Sequence, residues 1–374
     1  MRIALDIVPA QRTADSGYGR YMYALTNALL KEKTQHTFLA ILGNNGNEAL
    51  LPDVPNLEFA RCPSGNQNIN QQWHASHAAR KWNADVLHNL GAPASMLWSG
   101  KLILTIHDVA SVRFPELFPT RWRLFQKYAY TYLKKKNPLV VTISEFSKRE
   151  IVEHLHYPVE RIRVIPPIPG FQPQEISNDE KAAVKSKYKL PDAYFLYVGV
   201  IEPRKNLVRL VKAFEKYYSQ SESQKTNAGA SLVIAGKIGW HAQELQKTIA
   251  ASPVKARIYL PGYIEERDLP TLMASARAFV FPSLYEGFGA PPLEALMVNT
   301  PVLTSNCASL PEAVGNAGLL VDPTDINAIA EGLARIDSDD ALRATLIANG
   351  AAHRANFTPE KTATKILAVY DEFA

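Results

Sequence analysis

The feature that most constrains this chain is the stretch from residue 278 to residue 298. Ala278-Phe-Val-Phe281 is short, apolar, β-branched and aromatic, the pattern of a buried strand. Pro282 ends it. Gly287 and Gly289 then let the backbone turn sharply and approach a ligand with no Cβ in the way. Pro291 and Pro292 suit the first turn of a helix, where a missing N–H costs little, and residues 293–298 continue it. The expected product is strand, glycine loop and helix N-terminus, an arrangement whose amides and positive dipole end favour an anion such as phosphate. Glu286 on the loop and Glu294 in the first helical turn flank this spot, with seven residues between them. Paired acids serve general acid–base chemistry or hydrogen-bond sugar hydroxyls. Either alone would read as a solvated loop residue or a helix-end charge. Both together, around Gly-Phe-Gly, favour a binding role.

The same strand–loop–helix grammar recurs along the chain. Residues 2–8 read as a first strand, Gly17-Tyr-Gly19 as its loop and 20–30 as a helix, with Tyr21, Ala24, Leu25, Ala28 and Leu29 on one face. Arg20 is a cation beside that loop. Further strands are expected at 37–42, 57–61, 85–88, 102–106, 139–143 and 163–165, with a helix at 67–82. The 102–106 strand ends in His107-Asp108, a position that faces the ligand crevice of a parallel sheet. Ser144 is placed to N-cap the helix that follows residue 143. Pro166-Pro-Ile-Pro-Gly-Phe-Gln-Pro173 cannot be helical and marks the domain boundary.

Tyr194-Phe-Leu-Tyr-Val198 opens the second half, and its loop runs from Gly199 to Asn206. Arg204 and Lys205 there can neutralise a diphosphate and the charge that develops on its departure. Strand 231–235 leads into Gly236-Lys-Ile-Gly-Trp240, where Lys237 is a second phosphate candidate, and strand 257–260 into Pro261-Gly-Tyr-Ile264. Residues 219–227 are polar and read as an exposed connection. After the central stretch come strands 301–304 and 318–322 and helices 326–336, 340–349 and 359–373. Helical and strand periods alternating in this way define an α/β chain of two Rossmann-like domains. Their expected spans are 1–168 and 169–355, with 356–374 a final helix.

Composition excludes several classes. At 374 residues the chain holds two ordinary domains, and 47% hydrophobic with 21% charged is a globular balance. Asp6 interrupts the first apolar run too early for a signal peptide, and no apolar run approaches the ~20 residues of a membrane span. Cys62 and Cys307 give neither a disulfide framework nor metal spacing, so a cytoplasmic setting is expected. A net charge of +5 is too weak, without a motif, to argue for nucleic acid.

Glu286-Gly-Phe-Gly-Ala-Pro-Pro-Leu-Glu294 closely resembles the E-x7-E element of retaining, nucleotide-sugar-dependent glycosyltransferases of family four. The resemblance implies the GT-B fold, two Rossmann-like domains whose parallel sheets face a central cleft. It extends to His107-Asp108 and to the Gly199…Arg204-Lys205-Asn206 element, while the hinge lacks the Asn-Gly-Val-Asp common among relatives. It implies a nucleotide diphosphate sugar as donor, retention at the anomeric carbon, and no metal or other cofactor. By the same resemblance, Glu286 holds donor-sugar hydroxyls and Glu294 the ribose. His107 contacts the sugar from the other domain, so closure completes the site. Asp108 orients the imidazole or approaches the acceptor hydroxyl. Arg204, Lys205 and the amides near Gly289 stabilise the leaving diphosphate. Gly17, Gly19, Gly199, Lys237, Tyr263, Ile264, Gly287, Phe288, Gly289 and Ala290 line the donor, with backbone groups of the 261–264 loop at the base.

The chain as a whole resembles bacterial mannosyltransferases of surface polysaccharide assembly. That points to GDP-mannose as donor, with UDP-hexoses and dTDP-rhamnose as alternatives, and to a saccharide or lipid-linked saccharide as acceptor. Residues 113–136 carry seven bases against one acid, interleaved with aromatics, the pattern of an interfacial membrane helix or of a partly buried helix with a solvated basic face. Docking at the inner face of the membrane is the corresponding expectation. Asp337-Ser-Asp339 matches a metal-binding Asp-x-Asp only formally and reads as a turn and cap. His74 and His77 share a helix face without a third ligand nearby and read as packing or surface. A nucleotide-sugar epimerase would work without an acceptor, and a non-catalytic sugar-nucleotide-binding protein would tolerate loss of a cleft residue. All of His107, Arg204, Lys205, Glu286 and Glu294 are present.

Overall fold

A computed structural model describes residues 1–12, 17–91, 95–220, 229–239 and 242–373. Trp240 and most of the polar 219–227 connection lie outside these residues. The chain divides into two compact units, Met1–Gly170 with Phe357–Ala374, and Phe171–Asn356.

In unit 1 the strands are β1 (Arg2–Asp6), β2 (Thr37–Leu42), β3 (Leu57–Arg61), β4 (Val86–Asn89), β5 (Lys101–Thr105), β6 (Leu139–Thr142) and β7 (Ile162–Val164). They form one parallel sheet in the order β3-β2-β1-β4-β5-β6-β7. The register runs Ile3↔Phe38 on one side of β1 and Ile3↔Val86 on the other. Central strands such as Ile3-Ala-Leu5 and Val140-Val141 are wholly buried, because helices cover both faces of a parallel sheet. The order reverses between β1 and β4. Asp6 and Asn89, the last residues of those strands, therefore sit at the switch point where such sheets bind ligands.

The last helix, Pro359–Asp371, packs on Gly17–Lys31 within unit 1. Its Tyr370 is fully buried, with Oη 2.8 Å from His88 Nδ1, and His88 Nε2 lies 2.9 Å from Thr105 Oγ1. Burial drives the His88 ring down to about 3, so it stays neutral and serves as a hydrogen-bonding spacer. Tyr370→Phe should cost about 1–3 kcal/mol, the penalty for stranding a buried polar partner, seen as a lower denaturant midpoint with unchanged slope. An unaltered midpoint would show that the His88 bond contributes nothing.

In unit 2 the strands are β8 (Tyr194–Val198), β9 (Ser231–Ala235), β10 (Ile258–Gly262), β11 (Ala278–Phe281), β12 (Val302–Ser305) and β13 (Gly318–Val321). Their parallel order is β10-β9-β8-β11-β12-β13, with the reversal between β8 and β11. This switch point places the loop after Val198 beside the loop after Phe281. Arg204 and Glu286 share a neighbourhood despite their distance in sequence.

Several expectations are corrected. Gly17 and Gly19 do not lie on a loop: the helix starts at Gly17, and both fall in its first turn. The 67–82 helix contains a π-helical segment, Asn70–His74. The 113–136 segment is broken by Pro115 and Pro119, whose rings cannot continue a helix, and its regular part is Thr120–Lys134. Among the described residues, the helices absent from the sequence reading include Asn178–Lys187 and Gln243–Ala251.

Candidate functional site

Unit 2 builds its site from three loops at strand carboxyl ends. After β8 the chain makes a single 3-10 turn, Pro203–Lys205, closed by Asn206 in the left-handed region at φ 63°. Asparagine tolerates that conformation better than most non-glycine residues, and its side-chain nitrogen is used twice. Asn206 Nδ2 donates to Pro282 O at 3.0 Å and to Pro323 O at 2.6 Å. The turn is thereby tied to the loop after β11 and to the chain beyond β13.

That tie sets two cations against one acid. Lys205 Nζ donates to Glu286 Oε1 at 2.6 Å. Arg204 Nη1 donates to Glu286 Oε2 at 3.0 Å and to Tyr285 O at 2.6 Å, while Nη2 meets Glu202 Oε1 at 2.6 Å. Ser283 Oγ adds a third bond to the Glu286 carboxylate at 2.6 Å, and Ser309 Oγ holds the Glu286 carbonyl at 2.8 Å. Glu286 and Lys205 are each 8% exposed. Burial alone would raise the Glu286 carboxyl, but the Lys205 and Arg204 charges and the bonds from Lys205 and Ser283 override it and hold it at about 2. Burial pulls Lys205 downward, and Glu286 opposes that pull. Lys205 Nζ also stands 5.2 Å from the Phe281 ring centroid.

The helix after this loop starts at Ala290, with Gly289 at its N-cap at φ 105°. Pro291 and Pro292 bring no N–H, so the amides this end can offer an anion are those around Gly289 and Ala290. Glu294 follows in the same helix and is 3% exposed, and Phe288 is buried before it. The third loop is laced to the first by main-chain bonds. Ile201 N donates to Lys237 O at 2.9 Å, and Gly239 N to Ile201 O at 3.0 Å. Gly236 N reaches Gly262 O at 2.7 Å, committing one carbonyl of the 261–264 loop. A Cβ on Gly236 would lie 1.9 Å from Gly199 O. Lys237 Nζ stands 4.6 Å over the Tyr263 ring, which is exposed, whereas Ile264 is buried.

Unit 1 carries its own polar set. His107, half-buried after β5, has Nε2 3.3 Å from Leu90 O. A carbonyl only accepts, so Nε2 holds the proton and Nδ1 is the acceptor of the neutral ring. Burial lowers this imidazole, against the Leu90 bond and the Asp108 charge, which act the other way. Asp108 Oδ1 accepts from Ala110 N at 2.9 Å, a local turn. The Tyr21 ring meets the His107 ring edge-on at 4.6 Å. Asp6 is buried, and its carboxyl is raised to about 6 by burial, against bonds from Asn89, Val8 and Gln71. Asp6 and Asn89 were not singled out from sequence; an acid ending the first central strand was the available signal.

The structure thus joins Arg204, Lys205 and Glu286 directly, and adds Ser283, Glu202 and Asn206. Lys237 and Tyr263 form a separate pair. Asp337 accepts from Tyr217 Oη at 2.7 Å and from Arg277 Nε at 3.1 Å, and Asp339 caps the helix Asp340–Arg354.

Two parallel-sheet α/β units, each with its own reversal of strand order, are the architecture of the GT-B fold. The family model described as Glycosyltransferase Family 4 matches residues 16–168, and that described as Glycosyl transferases group 1 matches 178–353. The O-antigen chain mannosyltransferase B of Escherichia coli is 35% identical over 272 residues, 72% of this chain and 70% of that protein. The serotype-specific mannosyltransferase WbdA of Escherichia coli is 29% identical over 60% of this chain, which spans only 27% of that longer protein. Among solved structures, HepE of Anabaena, in complex with UDP and glucose, superposes with a TM-score of 0.74 at 17% identity, covering 100% of both chains. This chain belongs to glycosyltransferase family 4 and is a glycosyltransferase.

Proposed function

We propose that the protein transfers mannose from GDP-mannose to a saccharide or lipid-linked saccharide in surface polysaccharide synthesis, with retention and without a metal in the chemical step. The observation that carries this reading is the convergence of Arg204 and Lys205 on Glu286 at the switch point of unit 2. Two guanidinium- and ammonium-borne charges beside a helix N-terminus suit a departing diphosphate, whose negative charge grows as the glycosidic bond breaks. Glu286, held ionised, suits hydrogen bonding to sugar hydroxyls, and buried Glu294 suits the ribose. His107, neutral and fixed in one tautomer, suits donor-sugar contact. Mannose is favoured because three relatives are named mannosyltransferases, two of them O-antigen chain mannosyltransferases. UDP-hexose is the second reading, favoured by the nucleotide bound to HepE.

A thermal-shift panel separates these. A ligand that binds only the folded state raises Tm with concentration, so GDP and GDP-mannose should shift it further than UDP, dTDP and their sugars. A larger shift with UDP-glucose would replace the mannose reading. Transfer of radiolabelled mannose that survives excess EDTA completes the test, and its loss on chelation would reject the metal-free step.

The same reading places the enzyme at an anionic membrane on the cytoplasmic side. Among the described residues no helix is long and apolar enough to cross a membrane. The helix Thr120–Lys134 exposes Trp122, Leu124, Tyr128 and Tyr132, together with Arg121 and Lys127, and Lys135 follows. Basic and aromatic side chains on one exposed face suit an interfacial helix. Not every base serves there: Arg123 donates to Pro115 O, and Lys136 Nζ is anchored on the Met96 and Trp98 carbonyls. Charge reversal of Arg121, Lys127 and Lys135 together should cut binding to phosphatidylglycerol vesicles, each charge being worth about 1 kcal/mol. Unchanged co-sedimentation would remove the membrane role.

A further inference from the structure

Away from these loops, the helix Glu145–Glu150 runs into a π-helical turn, Ile151–Leu155, in unit 1. Glu150, Glu153 and His154 are brought together there, with one ligand atom from each within 4.8 Å of the others. Glu150 is 7% exposed, yet its Oε2 has no hydrogen-bond partner, and neither has the buried His154 Nε2. These two atoms face each other at 3.7 Å.

That separation is informative. A direct N–H···O bond would close to about 2.9 Å. Two ligands bound to zinc at about 2.0–2.2 Å, at a tetrahedral angle, stand roughly 3.4 Å apart. The gap is thus wide for a hydrogen bond and close to what one ion spans. Leaving a buried carboxylate oxygen and an imidazole nitrogen both unsatisfied is otherwise costly. Glu153 is exposed and can swing inward as a third ligand, with water as the fourth. Glu153 also borders a cleft of about 310 Å³, with Lys148, Val152 and Val159 among its lining residues, which gives an ion a way in.

We propose that Glu150, Glu153 and His154 form a binding site for a divalent transition ion of the zinc class. One imidazole and two carboxylates suit zinc better than magnesium or calcium, which take oxygen ligands in larger number. The site is structural and separate from the proposed sugar-transfer chemistry. It clamps the end of the helix whose Ser147 Oγ donates to the His107 carbonyl at 2.9 Å.

The test is calorimetric titration of the full chain, stripped with chelator, with zinc chloride alone. The wild type should bind one more equivalent than His154→Ala or Glu150→Gln. Zinc should raise Tm in the wild type but not in His154→Ala. Because the buried positions risk misfolding, exposed Glu153→Gln serves as the second variant. It should keep the apo Tm and weaken zinc binding by roughly tenfold to a hundredfold, as loss of even an outer-shell partner does. No binding at all, or zinc binding identical in wild type and Glu153→Gln with His154→Ala also unchanged, overturns the site.

Discussion

Glu286→Gln is expected to be the most damaging conservative change in this enzyme. The substitution keeps the shape and removes one charge. Lys205 and Arg204 then share a buried neighbourhood without their common counter-ion. Removing one partner of a buried pair costs about 3–5 kcal/mol, and losing the Glu286–sugar contact proposed above should lower kcat about a hundredfold to a thousandfold. Transfer assays and urea unfolding measure the two effects separately. pH gives an independent check. The carboxyl is depressed from 4.5 to about 2 in the folded chain. A depressed acid contributes stability that is present above its unfolded value and lost as pH falls through its folded value. Wild-type stability should therefore drop between pH about 4.5 and about 2, by roughly 3 kcal/mol from this group, and the Gln variant should lack that component. Full transfer rate in Glu286→Gln would remove the sugar-holding role and with it the site assignment.

Gly236→Ala should be the most disruptive backbone change. Its φ is 137°, and the added methyl would meet the Gly199 carbonyl at 1.9 Å. Both atoms belong to loops fixed by main-chain bonds, so neither can yield cheaply. Destabilisation above about 4 kcal/mol, a size reserved for such clashes, should lower Tm by roughly 10 °C in a unit of this size. Donor-dependent stabilisation should disappear as well, since Gly199 and Lys237 are displaced together. Gly65→Ala is the control, because no atom lies within 4 Å of its added methyl. Equal melting of the two variants would contradict the lacing of these loops.

Much of the fold was legible in the sequence. Tyr194–Val198, Ser231–Ala235 and Ala278–Phe281 are strands with the bounds that their apolar runs imply, because turn residues close each run. Errors arose where local signals were ambiguous or weak. Gly17 and Gly19 read as a loop because glycine is a poor helix former, yet tertiary packing of the following apolar face carries the helix back over them. Asn178–Lys187 is mostly polar, with Ala182, Ala183 and Val184 its apolar residues, and its capping box of Ser177 and Glu180 was the clearest signal. In the candidate site, the types of Arg204, Lys205 and Glu286 pointed to anion and sugar chemistry. Their mutual pairing was not legible, because it depends on β8 lying next to β11, a topological fact with no local signature. Ser283 and Asn206 matter for the same reason: Ser283 Oγ reaches the Arg204 carbonyl at 3.1 Å, and Asn206 Nδ2 reaches the Pro282 and Pro323 carbonyls, all far along the chain.

The path of the last helix has a consequence for synthesis. Unit 2 is one continuous segment, Phe171–Asn356, so it is complete before translation ends. Unit 1 is written first, yet it must wait for residues 357–374 to supply the Tyr370 that closes over His88. Order of emergence from the ribosome and order of completion are therefore reversed. A stalled or clipped chain would present a finished second unit and an unfinished first one, a state in which chaperones rather than substrates would be its first companions.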